Sequence, residues 1–422
     1  MPLVGGADVE YANLDYAASA PCLTAVKEVV DRLLPQYASV HRGTGHLSRV
    51  CTVAYEEARR SVRRFVGARA RSAVIFTRNT TDAMNLLAHV APRGTTVITF
   101  DTEHHATLLA WRGLRVVHLA PPRSAEAACA AVDEALRWAP VGPRLLAVTG
   151  ASNVTGEVWP LRALARIAHS RGARIAVDAA QLAPHARIDA AADDLDYVAL
   201  SAHKLYAPFG AGALVGRADW LQAAPPYLIG GGATVAVTAD RVRWADVPDR
   251  HEAGSPNVVG AVALAAACDA IAATDRAAVE AREARLLARL RAGLAAIDGV
   301  DRLSLWGPDA AAIGLVSFVA DGIDGQKLAA ILSAEHGIGV RAGGFCAHRF
   351  VRHLVGATRP RSSVAEVVPV RASIGLGTTQ EHVDRLVAAV RSVLRNGPRW
   401  TYAVHDGEWV PAPDPRPVEL PW

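Results

Sequence analysis

One lysine in this chain stands where it can do chemistry that the surrounding arginines cannot. Of the 45 lysine and arginine residues, only Lys27, Lys204 and Lys327 are lysines. Lys204 lies between an apolar strand-like run and a glycine-rich turn, in the stretch SAHKLYAPFGAGALVG at 201–216. A neutral amine condenses with an aldehyde, whereas a guanidinium stays protonated and does not. Lys204 is therefore a candidate for covalent catalysis, and an ordinary surface lysine is the alternative.

A carboxylate stands at the end of the preceding strand-like run. Asp178 ends ARIAVD, and Lys204 follows the next run, DYVALSAH. Because ligands of parallel sheets bind at the carboxyl ends of the strands, adjacent strand ends can present both groups to one ligand. Pyridoxal phosphate needs this pairing, since a carboxylate keeps its ring nitrogen protonated while a lysine holds its aldehyde. A plain salt bridge between Asp178 and Lys204 is the alternative.

A phosphate site is indicated by hydroxyl residues at the start of a predicted helix. Asn79, Thr80 and Thr81 directly precede the helical pattern DAMNLLAHV, and backbone amides at such a position bind anions. The same three residues also fit a plain helix N-cap. Ser201 and His203, which lie just before Lys204, add two further possible phosphate donors.

Three more side chains are candidates for contacts with a ring or a substrate. His104 follows the run TTVITF and can stack on a cofactor ring, and Gln181 can donate to a ring hydroxyl. Arg371 can bind a substrate carboxylate through a bidentate pair. A structural histidine, a solvated glutamine and one arginine among many are the corresponding alternatives.

Cys346 is a candidate nucleophile. It lies in the glycine-rich stretch VRAGGFCAH, where Arg341 and His348 are near enough in sequence to favour a thiolate. A buried, inert cysteine is the alternative.

The elements that must position these residues follow a repeating pattern. The β-rich runs AVIFT, TTVITF, RVVHLA, RLLAVTG, ARIAVDA and DYVALS alternate with helical stretches, which predicts an α/β fold with a largely parallel sheet and helices on both faces. We expect an N-terminal segment at 1–18 near the small domain and a large domain at 19–275. A small α+β domain at 276–396 would carry the cysteine segment, and a Pro/Trp-rich tail would follow at 397–422.

Composition excludes several classes of function. The formal net charge of +4 comes without a basic run, so we expect no nucleic-acid partner. The five cysteines are widely spaced and form no CxxC motif, which predicts neither a disulfide framework nor a metal site. No apolar run approaches ~18 residues and no signal-peptide pattern opens the chain, so we expect a cytoplasmic protein without a membrane partner.

These motifs together resemble a known family. The chain is similar to the class V aminotransferase-fold enzymes of fold type I, and most closely to the group II cysteine desulfurases of iron–sulfur assembly. That family places a seven-stranded sheet in the large domain. From about Leu14 to about Leu394 the similar motifs, in the family's order, are LDYAASA, VHRGTGHLS, TRNTTDAMNL, EHHATLLAW, SNVTGE, VDAAQ, SAHKLYAPFGAGAL, HEAGSPN, VRAGGFCA and RASIGLGTTQEHVDRL.

The resemblance implies a pyridoxal 5'-phosphate cofactor and a role for each candidate. Lys204 forms the covalent link and serves as the base, Asp178 pairs with the ring nitrogen, and His104 stacks on the ring. The other implied cofactor contacts are Thr80, Thr81, Asn153, Gln181, Ser201, His203 and Ser255.

The resemblance also implies a reaction and an assembly. L-cysteine becomes L-alanine, Cys346 takes the sulfur as a persulfide, and a sulfur-accepting protein or a reductant then discharges it. Arg371, Asn153 and Ala18 contact the substrate. The implied assembly is a homodimer, in which Ser255 reaches the partner subunit's cofactor.

The departures from the family pattern concentrate on the acceptor side. Gly344 and Phe345 stand where the family has a histidine pair, and GLGTT replaces a Tyr-Asn-Thr ending. The segment that includes GATRPRSSVAEV is longer, and the tail is an addition. Two alternatives therefore remain open: a class V enzyme with other chemistry (C–S lyase, epimerase or aminotransferase in secondary metabolism), and a catalytically silent scaffold.

Overall fold

The structure is a computed structural model that describes residues 1–359, 367–418 and 420. Its helices are α1 (Thr24–Leu33), α2 (His46–Phe65), α3 (Thr80–Val90), α4 (His105–Leu108), α5 (Ala125–Trp138), α6 (Leu161–Ser170), α7 (Ala218–Ala223), α8 (Val258–Ala272), α9 (Arg276–Ala295), α10 (Gly325–His336), α11 (His348–Thr358) and α12 (Gln380–Asn396). Most of the segment predicted to be longer than in the family, 360–366, lies outside the described residues.

The strands are short. They are β1 (Ala12–Asn13), β2 (Ala73–Thr77), β3 (Thr96–Phe100), β4 (Arg115–Leu119), β5 (Arg144–Thr149), β6 (Arg174–Asp178), β7 (Tyr197–Ser201), β8 (Gly212–Gly216), β9 (Thr234–Val237), β10 (Val242–Trp244), β11 (Val300–Leu303), β12 (Leu315–Ala320), β13 (Ile338–Gly339), β14 (Arg341–Ala342), β15 (Val370–Ser373), β16 (Tyr402–His405) and β17 (Glu408–Pro411).

The chain divides into two compact units. The sheet unit comprises Ser19–Ser152 and Val158–Arg276, and the cysteine unit comprises Met1–Ala18, Asn153–Glu157 and Ala277–Trp422. Compactness is not a test of independent folding, so the domain division at 275/276 stays a prediction. The assignment of Asn153–Glu157 to the cysteine unit has no counterpart in the sequence pattern.

Within the described residues, the sheet unit is built on a seven-stranded sheet of order β2-β8-β7-β6-β5-β3-β4. All neighbours are parallel except β8, which is antiparallel to both β2 and β7. The predicted α/β fold with a mainly parallel sheet is confirmed. Strands β3, β7 and β8 are buried along their whole length, as expected where both faces of a sheet are covered.

Register brings the ends of β5 and β6 level with the middle of β7. Thr149 of β5 is paired with Asp178 of β6, and Asp178 is paired with Ala199 of β7. At the neighbouring antiparallel strand, a Cβ on Gly212 would lie 2.5 Å from the Leu200 carbonyl oxygen and 2.6 Å from the Asn79 Cα. Glycine is therefore required for β8 to approach the turn before α3.

The start of α3 differs from the expectation. The helix begins at Thr80 rather than at Asp82, and the Asn79 side chain accepts a hydrogen bond from the Asp82 amide at 3.1 Å. Thr80 and Thr81 are thus the first two helical residues. The N-cap interpretation of Asn79 is confirmed, because its short polar side chain satisfies an amide that has no partner inside the helix.

The cysteine unit has a four-stranded antiparallel sheet of order β11-β12-β15-β14 within its described residues. Its apolar core includes Leu290, Phe318, Leu332 and Leu386. Strand β1 pairs in parallel with β13, so part of the N-terminal segment completes this unit.

The Asn153–Glu157 segment is tied into the cysteine unit by polar contacts. The Ser317 hydroxyl donates to the Val154 carbonyl, and the Glu157 carboxylate accepts from the backbone amides of Leu305 and Trp306 at 2.8 Å each. These long-range bonds explain why five residues leave the sheet unit.

The described part of the tail packs on the same unit. It forms the hairpin β16–β17, and the buried Glu335 carboxylate of α10 accepts from the Trp400 amide at 3.2 Å and from the Tyr402 hydroxyl at 3.1 Å. Lys327 Nζ lies 4.8 Å from the Trp409 ring centroid, within cation–π distance.

No single described helix has both the length and the apolar content needed to cross a bilayer. Helices α8 and α9 meet both criteria only as a pair, which is bent by 87°.

Candidate active site

Asp178 is a buried carboxylate held by two donors at the carboxyl end of β6. Its Oδ2 accepts from the Thr107 hydroxyl at 3.0 Å, and its Oδ1 accepts from the Ala180 amide at 3.0 Å. The side chain is 4% exposed. Two neutral donors fix the carboxylate in place but do not neutralise its negative charge. That charge therefore remains available to pair with a cationic ring nitrogen.

His104 is positioned by the one-turn helix that it begins. It is the N-cap of α4, and its Nδ1 accepts from the Ala106 amide at 3.0 Å. A ring nitrogen that accepts leaves the proton of the neutral imidazole on Nε2. Thr107, the donor to Asp178, lies on the same short helix, so one turn of chain positions both groups.

Glu103 precedes this turn and is fully buried. Burial, and next the charge of Asp178, raise the pKa of Glu103 well above its ordinary value. Burial beside Asp178 therefore disfavours the charged form of Glu103.

The predicted phosphate residues Thr80 and Ser201 are brought together. Ser201 Oγ accepts from the Thr80 amide at 2.9 Å and donates to the Thr80 hydroxyl at 2.8 Å. These bonds join the end of β7 to the start of α3, next to the exposed Thr81. The helix N-terminus, with its partial positive charge, suits an anion at this point.

Lys204 lies on a single 3-10 turn, Ala202–Lys204, directly after β7. The turn is anchored because the His203 carbonyl accepts from the Ala20 amide at 2.8 Å. Burial, followed by the charge of Lys204, lowers the pKa of His203. Tyr206, two residues beyond Lys204, has a φ of 61°, and such strain in a non-glycine residue is typical of functional segments.

Gln181 and Ser255 complete the predicted residues of the sheet unit. Gln181 is buried in the turn that follows β6, and Ser255 is exposed. The segment that carries Ser255 is anchored by Glu252, whose Oε1 and Oε2 accept from Arg59 Nη1 at 2.8 Å and Nη2 at 3.0 Å. The Tyr55 hydroxyl adds a bond at 2.8 Å.

In the cysteine unit, Asn153 joins the segments that carry Arg371 and Cys346. Its Nδ2 donates to the Phe345 carbonyl at 2.7 Å, and its carbonyl accepts from Arg371 Nη1 at 3.0 Å. The guanidinium carbon of Arg371 lies 5.1 Å from the centre of the Phe345 ring, a cation–π distance.

Arg371 is also paired with Asp15. Its Nη2 donates to Asp15 Oδ1 at 3.1 Å, while its buried Nε has no hydrogen-bond partner among the described residues. Burial lowers the pKa of Arg371, and the Asp15 charge opposes that effect. Ala18 lies on the same turn, since its amide donates to the Asp15 carbonyl at 3.1 Å.

Cys346 is exposed, so the alternative of a buried cysteine is wrong. It has a φ of 52°, and the preceding Phe345, which is buried, has a φ of 49°. Helix α11 begins two residues later at His348. The Cys346 thiol is therefore exposed on a strained turn, and the side chain of the preceding residue, Phe345, is fixed in the apolar core.

The structure thus assembles the predicted residues in two groups, one in each unit. The four residues that the sequence interpretation gave no role are Asp15, Glu103, Thr107 and Glu252. Each stood inside a quoted motif, but only tertiary contacts distinguish it from its neighbours. Across the described ranges, no group of three or more His, Cys, Asp or Glu residues is arranged to hold a metal ion.

Comparison with known proteins gives consistent matches. A family model described as aminotransferase class-V matches residues 12–386. The probable cysteine desulfurase of Vibrio cholerae serotype O1 is 35% identical over 406 residues, which cover 93% of this chain and 95% of that protein. The cysteine desulfurase of Dickeya dadantii is 36% identical over 402 residues, covering 91% and 92%. The apo structure of a cysteine desulfurase from Thermococcus onnurineus NA1 matches with a TM-score of 0.80 at 30% identity, covering 91% and 95%.

Proposed function

This chain belongs to the aminotransferase class-V family, and from that premise we propose that it is a pyridoxal-phosphate-dependent cysteine desulfurase. It converts L-cysteine to L-alanine and takes the sulfur on Cys346. The observation that carries the proposal is the end-to-end similarity to cysteine desulfurases, at 35% identity over 93% of the chain. The group II subtype, to which the sequence motifs are most similar, is part of the same proposal.

The residues present fit the cofactor. A buried carboxylate with two neutral donors suits a protonated ring nitrogen, and hydroxyls at a helix start suit a phosphate. Asp178, Thr80, Thr81, Ser201 and His203 would hold it, together with His104, Gln181, Asn153 and, from the partner subunit, Ser255. When bound, the cofactor supplies an electron sink for the substrate α-carbon.

Lys204 and His104 handle protons in this proposal. The Lys204 amine would hold the cofactor aldehyde, and the same amine would serve as the base for the substrate Cα proton. His104, with Nδ1 occupied by the Ala106 amide, has Nε2 as the nitrogen that carries its proton. Arg371 holds the substrate carboxylate, for which its unpaired Nε–H is a ready donor.

Cys346 performs the sulfur transfer. Its thiolate attacks the substrate sulfur, so that an S–S bond forms as the C–S bond breaks. The overall exchange, L-cysteine plus Cys346 thiol giving L-alanine plus Cys346 persulfide, balances without an added oxidant. A sulfur-acceptor protein or a thiol reductant must then remove the terminal sulfur to regenerate the enzyme.

We also propose a homodimer in the cytoplasm. The hairpin β9–β10 exposes Val235, Val237 and Val242, an apolar surface suited to a second copy. The five free cysteines suit a reducing compartment. Light scattering tests the dimer, and a monomer at micromolar concentration would contradict it.

The decisive experiment measures alanine and sulfide formed from L-cysteine with limiting reductant. We compare the wild type with Cys346→Ala and with Cys22→Ala, a matched exposed cysteine. Cys346→Ala should lose the activity and the trapped persulfide, whereas Cys22→Ala should keep both. Undiminished activity in Cys346→Ala would exclude it as the acceptor and favour a C–S lyase.

The covalent anchor is tested separately. Borohydride reduction of the holoenzyme followed by peptide mapping should place the cofactor on Lys204. Label on neither Lys204 nor another lysine would support the catalytically silent scaffold instead.

A further inference from the structure

The buried guanidinium of Arg371 already has an acidic partner within the chain. Its side chain is 3% exposed, and Nη2 donates to Asp15 Oδ1 at 3.1 Å, while the Asp15 side chain is 25% exposed. The pair therefore has one deeply buried member and one member that water reaches.

Asp15 is fixed in this place by the backbone. It forms a parallel bridge with Ser373, and the Ser373 amide donates to the Leu14 carbonyl at 2.7 Å. Ser373 is two residues beyond Arg371 on β15. Because strand residues two apart share a face, the backbone pairing places Asp15 on the face of β15 that carries Arg371.

Arg371 is oriented by other contacts as well. Nη1 donates to the Asn153 carbonyl at 3.0 Å, and the Phe345 ring lies 5.1 Å from the guanidinium carbon. Its Nε has no partner among the described residues. The Asn153 carbonyl and the Phe345 ring therefore also hold the guanidinium in position. Asp15 contributes a negative charge and is not the only restraint.

We propose that Asp15 is a positioning residue that acts as a resident counter-ion of Arg371 and weakens the binding of amino-acid carboxylates, so that the product is released readily. This inference rests on the proposed function, in which Arg371 holds the substrate carboxylate. A substrate carboxylate must share the guanidinium with Asp15, and the two negative charges repel each other.

The size of the effect follows from burial. A guanidinium without a counter-ion is costly to bury, so it binds an incoming carboxylate more tightly when its own partner is neutral. Partial exposure of Asp15 screens the repulsion. We expect neutralisation of Asp15 to tighten carboxylate binding by roughly tenfold, which equals about 1.4 kcal/mol.

The test uses the holoenzyme and L-alanine as the probe. Asp15→Asn keeps an oxygen that accepts from Nη2 and removes the charge. We expect the Kd of L-alanine, followed by the cofactor absorption spectrum, and the KM of L-cysteine to fall together by roughly tenfold. The kcat should not rise, because slower product release offsets tighter binding. Asp15→Glu, which keeps the charge, should leave both constants near the wild-type values.

The controls separate the possible failures. Asp384→Asn removes an acid of the same unit that is paired with Arg289 on the surface, and it should change neither constant. Asp15→Ser, also neutral and able to accept a hydrogen bond, repeats the test should Asp15→Asn not fold. Unchanged or weaker L-alanine binding in these neutral variants overturns the inference alone. A wild type that forms no alanine and binds no L-alanine overturns the proposed function, and the inference with it.

Discussion

The carboxyl end of the seven-stranded sheet and the segment around Cys346 place their reactive groups on different kinds of backbone. Ser201 ends β7 with ordinary extended angles, φ −122° and ψ 116°, and Asp178 ends the neighbouring strand β6. Phe345 and Cys346 instead have consecutive positive φ values of 49° and 52°. Each such residue costs roughly 1–2 kcal/mol in an L-amino acid.

The difference shows how each region is stabilised. At the sheet end, hydrogen bonds between the strands hold the backbone. Side-chain bonds such as that from Thr107 to Asp178 orient only the carboxylate. In the cysteine segment no ladder is present at Cys346 itself. There Asn153, which is 192 residues away from Phe345 in sequence, holds its carbonyl. A strained turn persists only where surrounding contacts impose it.

The largest effect is expected at the sheet end. Asp178→Asn keeps the shape but removes the charge that holds the cofactor ring protonated, so kcat/KM for alanine formation should fall on the order of 10^3-fold. Asp133→Asn, which removes an acid paired with Arg171, is the matched control and should keep full activity. Near-normal turnover in Asp178→Asn would remove this carboxylate from the mechanism.

The next largest effect is expected at the hydrogen bond from Asn153 to the Phe345 carbonyl. Asn153→Ala leaves the Phe345 carbonyl without its donor, which should lower the free energy of unfolding by about 1–3 kcal/mol. Persulfide formation on Cys346 should slow as well. Urea unfolding measures the first result, with the exposed Asn396→Ala as control. Equal stability of the two variants would mean that the hydrogen bond from Asn153 does not restrain the turn at Phe345 and Cys346.

A pair of glycine substitutions tests the backbone difference directly. At the positive φ of Cys346, Cys346→Gly should be more stable than Cys346→Ala by about 0.5–1 kcal/mol, because glycine adopts this region without strain. At Ser201 the order should reverse, with Ser201→Gly less stable than Ser201→Ala by a similar amount. The same order at both sites, measured by urea unfolding, would show that the two backbones do not differ in strain.

The smallest effect is a pH dependence at the sheet end. Burial and the Lys204 charge lower the pKa of His203 below its ordinary value of 6.5. The unfolded chain therefore binds the proton more readily, and the free energy of unfolding should fall as pH drops below about 6.5. His203→Gln should reduce the difference in unfolding free energy between about pH 7.5 and about pH 5.5. His405→Gln, an exposed histidine, should leave it unchanged.

Much of the fold was predictable because its signals are local. The run AVIFT coincides with β2, and the run DYVALS contains β7, which begins one residue into that run at Tyr197. The antiparallel direction of β8 was not predicted, since strand direction depends on partners rather than on residue pattern. The chemistry-bearing loops followed from the rule that ligands bind at strand ends.

The supporting residues of the site were not predictable from local pattern. From local sequence Thr107 is an ordinary helical residue, and only the folded structure shows that its hydroxyl donates to the Asp178 carboxylate. Glu252 reads as a solvated acid, yet it is buried against Arg59 and Tyr55. Such roles depend on contacts between residues far apart in sequence, which carry no periodic signal.

By itself the sequence determined the succession of strands and helices and the types of the reactive groups, because backbone preference and side-chain chemistry belong to each residue and its near neighbours. Only the tertiary structure decided that Asp15 faces Arg371, that Asn153 holds Phe345, and that the Cys346 thiol is exposed. These arrangements arise from burial and hydrogen bonding between distant segments, and their free energy exists only when the chain has folded.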